Sequence, residues 1–129
     1  MEMEFARHCC LVAYNFWSKL EREGGLKVDH IEYYTSIGES VLDPSMCPIC
    51  EVARKEKAKR KTAKVCNYCP IESWSLEEEN VKDCGDEASY YDMWDDCDNY
   101  SKEQKVMAGN IVRVIQKWGE ELGVFAKRD

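Results

Sequence analysis

The apolar positions of residues 4–22 recur at steps of three and four. Phe5, Cys9, Val12, Phe16 and Leu20 form one line, and Ala13 and Trp17 widen it into a stripe. That period marks an amphipathic helix with one buried face. Gly24-Gly25 ends the pattern, because glycine enters the left-handed conformation that closes a helix at little steric cost. Residues 101–122 repeat the design more clearly. Met107, Ile111, Val114, Ile115, Trp118 and Leu122 make the apolar face. Ser101 and Gln104 have the spacing of a capping box at its start, and Gly123 stands where the helix would close. The two stripes predict a helix at each end of the chain, packed on one another.

The middle of the chain is less regular. Ile31, Tyr34, Ile37 and Val41 fit a helical face within residues 28–42, interrupted by Gly38, and Asp43-Pro44 is a break. Residues 51–64 lack glycine and proline and are rich in Ala, Lys, Glu and Arg. That composition favours a helix, solvated for want of a wide apolar stripe. Residues 71–100 are acidic and aromatic and read as loop with short helical turns. The fold expected is mainly α: two long terminal helices packed together, with a metal-stabilised loop region between them.

The chain has 129 residues, a length that fits one domain. Within it, residues 1–44 form an N-terminal helical part, 45–100 a metal-binding and acidic, aromatic part, and 101–129 the C-terminal helix. Four Trp, seven Tyr and three Phe can build a core, but a domain of this size is stabilised further by a metal staple. No apolar stretch approaches the roughly 20 residues a bilayer span needs. The start, MEMEFARH, has acids where a secretory signal carries basic residues. The expectation is a cytoplasmic chain with no membrane contact. In a reducing compartment its eight cysteines are metal ligands or core residues rather than disulfides.

The cysteine spacing carries the candidate chemistry. Cys47-Pro-Ile-Cys50 is followed, after fifteen residues, by Cys66-Asn-Tyr-Cys69-Pro70. Each CxxC turn brings two thiolates to one ion, and two turns complete a tetrahedral zinc shell. Four thiolates leave no position for water, so such a site holds structure and performs no chemistry. Cys84 is a fifth candidate or a substitute ligand. A rubredoxin-like iron site would use the same four cysteines, although Glu51 and Pro70 stand where rubredoxin knuckles carry glycine. A [4Fe–4S] cluster is the other alternative, given the Cys69-Pro70 pair. Zinc is the expected cofactor. Cys9 lies on the apolar face of the first helix, which reads as packing. His8 beside it reads as a polar neighbour, and Cys97 has no usable partner spacing.

The net charge of −7 is unevenly spread. Residues 54–64 hold seven basic residues, Arg54, Lys55, Lys57, Lys59, Arg60, Lys61 and Lys64, and one acid. Residues 71–100 hold eleven acids and one lysine. The basic run could track phosphates, but it has no interleaved aromatics for base stacking, and the acidic remainder disfavours non-specific nucleic-acid binding. The acidic run reads as a solvated or partner-facing surface, part of which can pair with the basic segment, and that pairing is the plain alternative for the basic run. The acids Asp92, Asp95, Asp96 and Asp98 do not make a calcium loop: counted from Asp96, the positions for ligands 5 and 12 and the obligatory glycine are Tyr100, Met107 and Ser101. Trp94 reads as packing, while Trp74 fits packing or an interface anchor equally. The two histidines, His8 and His30, lie in no nucleophile motif, and there is no glycine-rich phosphate loop. Nothing specific points to an enzyme.

The order of these features is familiar. His8 and Trp17 in a first helix precede Cys47-Pro-Ile-Cys50-Glu51. Then come Cys66-Asn-Tyr-Cys69-Pro70-Ile71 with Trp74, Cys84, Tyr91-Asp92-Met93-Trp94, and an alanine-containing amphipathic helix. Over residues 7–122 the chain resembles small cysteine-rich hypothetical proteins encoded by tailed bacteriophages. The CPxC and CxxCPI knuckles, the later cysteine and the Tyr-x-x-Trp are the most specific parts. The resemblance implies a non-catalytic, zinc-stabilised accessory protein of the host bacterial cytoplasm. Such a protein would bind a host or defence component through protein contacts. Family members have a shorter stretch between the knuckles, whereas residues 51–65 here form a long basic insertion. The seven basic residues of 54–64 are therefore the expected partner-binding surface, with the acidic 77–98 region second. The alternative is a nucleic-acid-binding protein that uses the same basic segment. The sequence leaves the oligomeric state open.

Overall fold

A computed structural model describes residues 3–25, 71, 73–77, 81 and 87–126. The helical patterns at residues 28–42 and 51–64 lie outside the described residues. Those that are described are mainly helical, with no strand among them. Helix α1 runs Met3–Glu23, α2 runs Tyr90–Asp95 and α3 runs Lys102–Glu121.

The first helix follows its apolar period. Cys9, Val12, Ala13, Phe16, Trp17 and Leu20 are buried as the stripe predicts, and Phe5 at its start is half-buried. Ala6 and Cys10, beside the stripe, are fully buried too. A helix hidden over so wide an arc is covered from two sides, and two neighbours supply the cover. Glu4 in the first turn and Arg22 in the last have the signs that suit the helix dipole. Gly24, at φ 75°, donates its N–H to the Leu20 carbonyl at 2.8 Å. That single bond with a left-handed residue is an αL cap.

The third helix starts at an N-cap, Ser101, whose hydroxyl accepts the Gln104 N–H at 3.0 Å. Only this half of the predicted capping box forms. The Ser101 N–H instead bonds the Asp98 carbonyl at 3.1 Å, and the Gln104 side chain turns away to other partners. The far end is a Schellman motif. Gly123, at φ 78°, donates to the Glu120 carbonyl, and Val124 donates to the Gly119 carbonyl. Ile111, Val114, Ile115, Trp118 and Leu122 are buried as predicted; Met107 is half-buried, and Ala108 and Val112 join the buried face.

Contacts between α1 and α3 run in opposite directions along the two helices. Arg7 Nε donates to the Leu122 carbonyl at 2.9 Å, Cys10 Sγ lies 3.7 Å from the Ile115 carbonyl, and Gly25 N donates to Gln104 Oε1 at 2.8 Å. The helices are therefore antiparallel neighbours, as the paired stripes require. Gly109 and Gly119 let them come close. A methyl group at Gly109 would collide with the Glu21 carboxylate, and one at Gly119 with the Phe125 ring. Beyond α3 the chain turns back so that Phe125 packs on Tyr14 of α1, ring centroids 4.7 Å apart.

The second cover over α1 is α2. Trp17 meets Trp94 edge-on at 4.9 Å and Tyr91 at 5.9 Å. Ser89 caps α2 by accepting the Tyr91 N–H. α2 is six residues long, too short to stand alone, so it is held by this aromatic contact and by its packing against α3.

Candidate metal centre and its surroundings

The four ligands read from sequence, Cys47, Cys50, Cys66 and Cys69, lie outside the described residues, as do the substitute Cys84, His30 and the basic residues Arg54, Lys55, Lys57, Lys59, Arg60, Lys61 and Lys64. Among the described residues no three His, Cys, Asp or Glu side chains converge to hold a metal ion. What the structure does describe is the segment that follows Cys69, from Ile71 on.

Two residues beyond Cys69 the chain enters the core. Ile71 and Trp74 are each 3 % exposed, and Val81 is buried after them. Three bonds tie this segment down. Trp74 N donates to the Val81 carbonyl at 2.8 Å, Tyr90 N donates to the Trp74 carbonyl at 2.9 Å, and Leu76 N donates to the Tyr90 hydroxyl at 3.1 Å. Ser73 Oγ accepts the N–H groups of both Ser75 and Val81. The polar backbone of a loop at the core is thus satisfied by serine hydroxyls and by its neighbours, as burial requires. Trp74 packs inward, and so does Trp94, at 2 % exposure.

Three further cysteines are described, and all have reduced thiols. Cys9 and Cys10 are buried in α1. Burial pushes the Cys10 thiol up to about 12, and its weak S–H faces the Ile115 carbonyl. A thiol held so far from ionisation is neither a nucleophile nor a ready metal ligand, so packing is its role. Cys97 is half-exposed at the end of α2, 3.2 Å from the Met93 carbonyl. Its thiol is also raised, first by desolvation and then by the negative charges of Glu103, Asp96 and Asp98. His8 keeps Nε2 buried with no hydrogen-bond partner among the described residues, and Trp94 Nε1 is in the same state.

One polar centre of the structure was only half visible in the Ser-x-x-Gln spacing. Gln104 is 1 % exposed, yet its amide is well used. Oε1 accepts from Gly25 N and from Tyr100 N, both at 2.8 Å, and Nε2 donates to Asn99 Oδ1 at 3.1 Å. Tyr100 sits at φ 63°, so this bond helps hold a strained turn. The same side chain joins the segment leaving α1 to the segment entering α3. The middle of the chain therefore departs and returns at one end of the helical pair.

No helix among the described residues is long and apolar enough to cross a membrane. No protein-family model, curated protein or solved structure matches this chain.

Proposed function

We propose that this is a non-catalytic accessory protein, of the kind encoded by tailed bacteriophages, in which zinc bound by Cys47, Cys50, Cys66 and Cys69 organises the middle of the chain. The basic segment 54–64 between the two knuckles then meets a protein partner of the host or of its defences. The observation that carries the reading is the pair of CxxC turns fifteen residues apart. The burial of Ile71 and Trp74 just beyond the second turn supports it, because a knuckle joined to a packed core can pass the rigidity of a bound ion to the rest of the domain. Four thiolates fill the shell of a tetrahedral ion and leave no place for a substrate or water. Metal binding then acts as folding energy, since the ligands come together only in the folded arrangement.

The first test is metal content. Chain purified without added metal should carry one zinc. Cys47→Ser should lose it, together with a large part of the thermal stability. Iron in that position would move the reading to redox chemistry, and a metal-free, equally stable chain would overturn it.

A second reading is favoured by the basic run itself: nucleic-acid binding through Arg54, Lys55, Lys57, Lys59, Arg60, Lys61 and Lys64. The two readings separate when binding is measured before and after nuclease treatment, with wild-type chain and with a variant in which these seven residues are changed to Ser. A protein partner held after nuclease treatment, and lost in the variant, supports the first reading. Binding to DNA or RNA that weakens steeply with salt, and vanishes in the variant, supports the second.

A further inference from the structure

We draw no further inference here: the strongest candidate, the acidic face at the end of α2 and the start of α3, where Asp96, Asp98 and Glu103 bear on Cys97 beside the exposed Met93 and Tyr100, is a carboxylate cluster around a lone cysteine, and nothing in the structure shows what covers it.

Discussion

Replacing Gln104 by alanine should destabilise the protein far more than its polar character suggests. The wild-type amide occupies a buried site and makes three hydrogen bonds. In Gln104→Ala the Gly25 and Tyr100 N–H groups lose their shared acceptor. Gly25 is buried, and a buried donor left without a partner costs about 1–3 kcal/mol. Tyr100 is exposed, so water can take over most of its bond. The lost side-chain methylene adds about 1 kcal/mol of transfer free energy. Some of the loss is returned if the turn relaxes, because a left-handed non-glycine residue costs roughly 1–2 kcal/mol. Before any such relaxation the sum is a loss of about 2–4 kcal/mol, equivalent to roughly 10 °C in Tm for a domain of this size. Gln104→Met is the companion variant. It keeps the buried methylene but offers no acceptor oxygen, so it should still lose about 1–3 kcal/mol for the unpaired Gly25 N–H. The assay is urea unfolding of all three proteins at one fixed zinc concentration, with midpoint and slope compared. Amide exchange at Gly25 and Tyr100 reports the same event locally. A loss below about 0.5 kcal/mol in Gln104→Ala, the size of an ordinary surface change, would refute the reasoning. Full retention of stability in Gln104→Met would refute it as well.

Two more predictions concern the contact between α1 and α3. Gly119→Ala should cost about 1–3 kcal/mol, because the new methyl group would press into the Phe125 ring and stand 3.2 Å from Cys10 Sγ; the double variant Gly119→Ala with Phe125→Ala should show a smaller combined loss than the two single losses added together, and strict additivity in a double-mutant cycle would sink the steric explanation. Cys10 predicts a pH dependence. Its thiol is raised from 9.0 to about 12 in the folded protein, so between those values the folded state keeps a proton that the unfolded chain has lost. Stability should therefore fall as pH rises above about 9, by up to about 1.4 kcal/mol per unit from this group. Cys10→Ala should flatten the slope in that window, and an unchanged slope would show that the thiol is not held protonated by burial.

Much of the helical frame was legible in the sequence because its causes are local. A stripe at steps of three and four, with Gly24, Ser101 and Gly123 at the ends, specifies where a helix lies without reference to the rest of the chain. The cap residues behave as their chemistry demands: Ser101 accepts an N–H, and both glycines take positive φ. The candidate metal site was inferred on a similarly local ground, the CxxC spacing of a short stretch of chain. It remains a reading of the sequence, as all four of its cysteines lie outside the described residues.

Other features depended on contacts between distant parts of the chain. Cys10 stands one residue off the apolar stripe of α1, and only the close approach of α3, where its thiol meets the Ile115 carbonyl, explains why it is buried as deeply as Cys9. The orientation of Trp74 was open in the sequence; hydrogen bonds to Val81 and Tyr90 turn it into the core. Gln104 has the spacing of a capping residue but bonds Gly25, 79 residues away in the chain. By itself the sequence determined the two long helices and their caps, because periodicity and φ preference act within a few residues. The tertiary structure decided the antiparallel register of α1 and α3, the inward aromatic cluster on α2 and the partners of Gln104, because burial and hydrogen-bond satisfaction are settled only when remote segments compete for the same space.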